Sequence, residues 1–430
     1  MTRETSVSAA AKPDDDEYLL LRGGRLFDGT GDDLVTDGAV LVEGQRIAAA
    51  GPEGDLDVPD DATVVDVGDR TLMPGIVDAH THLTIFNSRV RGRFRLSDPK
   101  NSLPYNTIRA MESVASYIDK GVTTQREVGG RDFISASVRD AIEEGRIPGP
   151  RLLPSGPILT PTAGLDDKRP YFVEGNLANG WEVNGRQEVV KAVREQKKAG
   201  VSTIKVDASG AWTAFSDSKT PTMSEEEMAA AVEEAHKFGL RVAAHAQATE
   251  GIKNAARAGV DTIEHATYLD EEGLELILDN DIIVVPTLIP FEEFLDAGEG
   301  VEMNESQRQA LKDDRAAQRE SFVMAHENGV QLAVGSDAIP PMVPHGDTHR
   351  EIRHFHRLGF SKSDALVAAT KSSAEAVGLG DEIGTLEPDK SADIIAVEGN
   401  PLDDLDVLAD SSNPTVVVKE GAVVKDERPA

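Results

Sequence analysis

After Met73 the chain alternates short β-rich apolar runs with charged segments of helical periodicity, and this alternation limits the fold more than any other feature. Eight runs are visible: "GIVDAH", "GVTTQREV", "RLLPSGPIL", "VSTIKVDA", "RVAAHA", "VDTIEHA", "DIIVVPTL" and "VQLAVGSD". Segments such as "RQEVVKAVREQKKAG" and "SEEEMAAAVEEAHKFG" lie between them, several closing on a Gly suited to a helix C-terminus. Strands that alternate with helices form a parallel sheet, and eight repeats over about 300 residues predict an α/β fold of the (β/α)8 TIM-barrel type. Pro154 and Pro157 weaken the third run as a central strand.

The flanks have a different texture. "YLLLRGGRLFDG", "GAVLVEGQRIAAAG" and "ATVVDVGDRTLM" precede the barrel, and "ADIIAVEGN" and "PTVVVKEGAVVKD" follow it; all read as short strands joined by turns. The two ends are expected to meet in a small β-sandwich. The chain then divides into a disordered tail (1–17), a first sandwich segment (18–73), the barrel (74–382) and a second sandwich segment (383–430).

Composition removes several classes of function. No run approaches the ~20 apolar residues of a membrane span, and "MTRETSVSAAAKPDDDEYLL" lacks the apolar core of a secretory signal, which places the protein in the cytoplasm. The absence of cysteine excludes disulfides, thiolate-held zinc and a cysteine nucleophile. The net charge is −32, from 76 acidic against 44 basic residues, with the acidic residues spread along the chain. That spread fits a protein adapted to high salt, where repulsion is screened and a carboxylate-rich surface stays hydrated. No basic stripe suggests a nucleic-acid partner. A small-molecule substrate is expected, and self-association is left open.

A barrel of this kind carries its active site at the C-terminal ends of its strands. His80 and His82 end the first strand at i and i+2, so they are expected to share a face, with Asp78 beside them. A bare His-x-His is more often packed or solvated than functional, so its partners decide the matter. Strand five ends in His245, strand six in His265 and strand eight in Asp337, while Lys205 sits in the apolar fourth strand "VSTIKVDASG". His245 and His265 are 20 residues apart and are expected at equivalent positions on neighbouring strands. Imidazole and carboxylate at one barrel mouth make a metal site. A protonated lysine would repel cations, but burial lowers its pKa, and the neutral amine could add carbon dioxide to form a bridging carbamate. The ordinary alternative pairs Lys205 with Asp207 or Glu264.

Other residues carry weaker signals. His345 and His349 lie just after strand eight, where His345 is a candidate substrate contact, and Tyr268, just after His265, is another. His354 and His356 are expected on a helix surface, and His236 and His326 solvated on barrel helices.

The stretches "LMPGIVDAHTHL", "GVTTQREVGG", "IKVDASG", "VAAHAQ", "TIEHATYLD", "VGSDA", "ALVAATKSSAEAVGL" and "IGTLEPDKSADIIAV" together resemble the amidohydrolase superfamily of metal-dependent hydrolases, in its imidazolonepropionase-like or prolidase-like branch. The resemblance runs from about residue 20 to 425 and implies a barrel with a sandwich formed by both termini. It implies two divalent cations held by His80, His82, Lys205 as a carbamate, His245, His265 and Asp337. Zinc suits these ligands best, and manganese or iron could bind the same set. An imidazolonepropionase would be expected to hold one metal without the lysine, so Lys205 points to the binuclear, dipeptidase-like members. Three departures stand out. The Gly-Gly-His segment expected after strand three is "LTPTAGLDD", which puts a carboxylate-terminated dipeptide in doubt; Glu127 stands for an Asp and Asp389 for a Gly.

The expected chemistry is hydrolysis of an amide or cyclic amide in a small N-acyl amino acid, dipeptide or lactam-like substrate. The cations would activate water and polarise the carbonyl, and Asp337 would pass a proton to the leaving nitrogen. A lactone or phosphoester hydrolase on the same site is the alternative, followed by a non-catalytic scaffold.

Overall fold

The computed structural model describes residues 7–9, 12–31, 34–86, 88–90, 93–95, 102–168, 172, 179–211, 216–296, 303–410 and 412–428. Its centre is the parallel barrel. The strands run Ile76–Thr81, Val122–Glu127, Arg151–Leu153 continued by Ile158–Thr160, Thr203–Asp207, Arg241–Ala246, Thr262–His265 and Ile283–Val285. The third strand breaks at its prolines. Arg151–Leu153 pairs with strand two, and Ile158–Thr160 pairs with strand four and with an added strand, Gly180–Glu182.

The eighth run closes the ring without a regular ladder. Leu332 bridges Val284 of strand seven and Ala338 bridges Thr81 of strand one. Ala79 N donates to Val334 O at 2.9 Å and Asp337 N to His80 O at 2.8 Å. Gly335 explains part of the close approach, because a Cβ there would sit 2.5 Å from both the His80 Cβ and Val285 Cγ1.

Helices pack outside the strands through one apolar face each. In Gly185–Lys198 that face is Val189, Ala192 and Val193, the spacing of an amphipathic helix. Glu225–His236 starts with a capping box in which Ser224 and Glu227 satisfy each other's amides, a cap usually worth about 1 kcal/mol. Among the described residues no helix is long and apolar enough to cross a membrane.

The ends of the chain form two further sheets. One is ordered Arg46–Pro52, Gly38–Glu43, Tyr18–Arg22, Thr63–Asp66. The other joins C-terminal strands Ala422–Asp426, Val416–Lys419 and Ile394–Val397 to N-terminal strands Thr71–Pro74, Arg25–Leu26 and Val35–Thr36. The seam is the antiparallel pair Ile394–Val397 and Thr71–Pro74. Both sheets contribute to one apolar cluster that includes Leu21, Val40, Ile47, Leu72, Ile394 and Val418. Thr71–Pro74 passes directly into barrel strand one through Gly75, where any Cβ would collide with Thr123. Of the tail expected to be disordered, residues 7–9 and 12–17 are described; there Ser8 N donates to Val424 O at 3.0 Å and Lys12 lies 3.6 Å from Glu420.

Candidate metal centre and active site

Strand one does not run straight to its histidines. Gln125 pairs with Asp78 and Glu127 with Thr81, so two residues, Ala79 and His80, stand opposite the single Arg126. Such an irregularity re-aims a side chain. It separates Asp78 from the histidines, contrary to strict alternation. Asp78 accepts the Thr348 hydroxyl at 2.6 Å and the Ser336 amide at 2.9 Å, tying strand eight and the helix beyond it to strand one.

Strands five and six also differ from expectation. His245 pairs with Glu264, and His265 pairs with Ala246, so the two histidines are one residue out of step. His265 reaches the same cavity because its backbone turns left-handed, with φ 73°. Asp337 sits at φ 47° on the closing strand. Neither is glycine, and backbone held in this region clusters at functional sites.

The four imidazoles converge. Ring centroids are 5.2 Å apart for His80 and His82, 5.1 Å for His80 and His265, and 4.6 Å for His245 and His265. Ligand atoms of His80, His265 and Asp337 all lie within 4.8 Å of one another. Asp337 Oδ1 is 3.2 Å from His82 Nε2 and 3.7 Å from His80 Nε2.

Each ring is held by its other nitrogen. His80 Nδ1 meets Glu264 Oε2 at 2.5 Å, His82 Nδ1 meets Gly129 O at 2.8 Å, and His265 Nδ1 meets Thr287 Oγ1 at 2.6 Å. His245 is held by Nε2 instead, 3.1 Å from Gly210 O. This leaves His80, His82 and His265 with Nε2, and His245 with Nδ1, for the cavity. Outer partners of this kind set the tautomer of metal-binding histidines.

Whether the residues fit metal is answered by what is left unpaired. His80 Nε2 and Lys205 Nζ are buried atoms without a hydrogen-bond partner. Lys205 pairs with neither Asp207 nor Glu264 as a hydrogen-bond donor, and burial lowers its pKa. Burial and the nearby Lys205 also press His80 well below the ordinary histidine range and His245 down to about 3, so both rings are neutral near pH 7. Burial opposes a charged His82 too, yet Asp337 beside it holds that ring above its usual value. Four buried imidazoles, each with one nitrogen left for the cavity, a carboxylate and a buried lysine without a partner are a donor set that divalent cations would complete.

The remaining candidates fall elsewhere. His345 is buried against Phe86 and Tyr117, with Nε2 3.3 Å from His82 O and Nδ1 unpartnered. The Tyr268 hydroxyl donates to Asp314 at 2.6 Å. His349 is partly buried, and burial lowers it to about 4. His356 and His236 are exposed, and His236 Nε2 lies 2.9 Å from Asp261. His354, half-buried near Glu292, packs on the helix surface as expected, and His326 corrects the expectation of a solvated ring, being stacked on Phe360 with centroids 4.0 Å apart. The helical repeat gave no warning, because the aromatic partner lies in a following loop. Arg126, and the contact of Glu264 with the His80 ring, are the neighbours of the site that the residue pattern did not bring out. Strict alternation of strand six, with Thr262 and Glu264 on one face, was the available signal.

Residues 71–424 match the family described as the Amidohydrolase family. The chain belongs to the amidohydrolase family. Membership makes it an enzyme that hydrolyses carbon–nitrogen bonds, in a family that uses divalent metal ions. Among its relatives, ochratoxinase of Aspergillus niger is 31% identical over 445 residues, covering 96% of this chain and 88% of that protein. Imidazolonepropionase of Rhizobium rhizogenes is 26% identical over 387 residues, covering 85% of this chain and 87% of that protein. The crystal structure of an Xaa-Pro dipeptidase with methionine bound in its active site has a TM-score of 0.85 and 30% identity, covering 95% of this chain and 100% of that one.

Proposed function

We propose that this amidohydrolase binds two divalent cations at the barrel mouth and cleaves the C–N bond of a small N-acyl amino acid, dipeptide or cyclic amide. The observation that carries the reading is the convergence of His80, His82, His245, His265 and Asp337 around a buried Lys205 whose amine has no partner. His80, His82, Lys205, His245, His265 and Asp337 would hold the ions, zinc first, with manganese or iron compatible. Lys205 takes part as a carbamate. Its neutral Nζ attacks carbon dioxide, an N–C bond forms, and one proton leaves the nitrogen for water.

When bound, the cations supply Lewis acidity, lowering the pKa of water and polarising the substrate carbonyl. The protein supplies the rest. Gly129, Gly210, Thr287 and Glu264 fix the four rings, so no reorganisation is needed on reaction. Asp337 Oδ1 takes the proton of the attacking water and returns it to the leaving nitrogen. His345, whose ring lies beside His82, is the first candidate for substrate contact; Tyr268 is the second, with its hydroxyl already committed to Asp314.

Relatives named a dipeptidase, an ochratoxinase and an imidazolonepropionase support small substrates of this class. The barrel, 74–382, carries the reaction, and the acidic surface suits a cytoplasm of high salt. The test is a panel of dipeptides, N-acyl amino acids, cyclic amides, lactones and phosphoesters, assayed on metal-loaded protein in molar salt. Turnover confined to C–N substrates supports the reading. Faster turnover of a lactone or phosphoester overturns it.

A further inference from the structure

A fully buried arginine occupies the barrel interior beneath the metal centre. Arg126 Nε donates to Ala79 O at 2.6 Å, Nη1 to Thr262 Oγ1 at 3.1 Å and Nη2 to Glu264 Oε1 at 2.9 Å. Glu264, equally buried, accepts a further hydrogen bond on Oε1 from the Thr262 hydroxyl at 2.5 Å. Its other oxygen faces His80 Nδ1 at 2.5 Å. Arg126 therefore grips the backbone just before His80 and the carboxylate that meets the His80 ring.

We infer that the Arg126–Glu264 pair sets the tautomer of His80 and so determines whether His80 can bind metal. An ionised carboxylate only accepts, and a guanidinium only donates. With Oε1 taken by Arg126 and Thr262, Oε2 must accept from Nδ1–H. The proton is then fixed on Nδ1, and Nε2, the atom facing Asp337, is bare. Glu264 is a positioning residue: it touches neither substrate nor the cations. The inference rests on His80 being a ligand, as proposed above.

Glu264→Gln sharpens the point, because an amide has one accepting and one donating end. Arg126 can face only the amide oxygen, which turns the NH2 group toward His80. Nδ1 must then accept, the proton moves to Nε2, and the ring is closed to a cation. Zinc affinity, measured by chelator competition, should fall about 10–100-fold. In Arg126→Met/Glu264→Gln the amide is free to turn its oxygen to Nδ1–H, so a second substitution should restore most of the lost affinity. A role limited to filling the barrel core predicts the opposite, since the double variant loses more contacts.

Histidine 15N shifts in the metal-free protein read the tautomer directly. They should report Nδ1–H for His80 in the wild type and the double variant, and Nε2–H in Glu264→Gln. Should Glu264→Gln not fold, Arg126→Met/Glu264→Gln is compared with Arg126→Met/Glu264→Leu. Neither leaves a buried charge, and only the first offers an acceptor, so at least a tenfold gap in zinc affinity is expected. Equal affinity in that pair, or wild-type affinity and tautomer in Glu264→Gln, overturns the inference. His80→Ala separates the two layers. If it loses zinc while Glu264→Gln does not, only the tautomer inference fails. If it binds zinc as tightly as the wild type, the ligand reading itself fails.

Discussion

The β-sandwich and the barrel mouth handle polarity in opposite ways. Inside the sandwich, Leu21, Val40, Leu72, Ile394 and Val418 interlock as an apolar layer. Among the described residues, the buried side-chain polar atom without a partner there is Arg70 Nε, at the edge. At the strand ends of the barrel, His80 Nε2, Lys205 Nζ and Gln247 Oε1 are buried without a hydrogen-bond partner. A buried polar atom without a partner costs about 1–3 kcal/mol. The mouth is thus held open to ligands against its own stability, and apolar burial elsewhere offsets the cost. Substitutions in the two regions should therefore separate function from folding.

The largest effect is expected at the mouth. Asp337→Ala should lower turnover about 10²–10⁴-fold, and His80→Ala should abolish it with loss of bound metal, while the fold of each is kept. His354→Ala, on the outer helix, should change neither quantity. Steady-state assays with metal analysis check all three; lost activity in His354→Ala would break the map of the site. Next comes the sandwich. Leu72, fully buried between the sheets, should cost about 2–5 kcal/mol of stability as Leu72→Ala. Zinc affinity at saturating folding should be unchanged. A parallel loss of affinity in denaturation and chelation experiments would show that the regions are not separable.

A smaller effect of opposite sign tests the cost of the mouth. Lys205→Met in the metal-free protein replaces an unpaired buried amine with a thioether of similar length. It should raise unfolding stability by about 1–3 kcal/mol, although the variant is inactive. Destabilisation would mean that Lys205 already has a partner. Smallest per residue is the surface charge. Exposed ion pairs are worth about 0–1 kcal/mol each, but a net charge of −32 sums many weak repulsions. Melting temperature and activity should both rise from low to molar salt as those repulsions are screened. A flat or falling melting curve would remove the high-salt reading.

Much of this contrast was legible in the residues. The barrel followed from the repeating strands and Gly-ended helices, and the ligand candidates followed from asking what stands at the strand ends. What escaped was local backbone geometry. The extra residue at Ala79–His80 and the left-handed turn at His265 carry no glycine or proline to mark them. Both alter which side chains face inward. Asp78 was for that reason grouped with the histidines, and Glu264 was read only as a partner for Lys205. The split third strand, by contrast, was announced by Pro154 and Pro157. The irregular eighth strand has a visible cause only afterwards, in Gly335 packed on His80.

The central claim is a binuclear site bridged by Lys205, and metal content tests it most directly. Protein prepared with zinc and bicarbonate should carry close to two ions per chain. Lys205→Ala should lose about half of that metal and most of its turnover, with some turnover restored by added acetate or propionate, which can occupy the space of the carbamate. Lys205→Arg should not be restored, since its guanidinium stays charged and fills that space. One ion per chain in the intact protein, together with an active Lys205→Ala, would contradict the account.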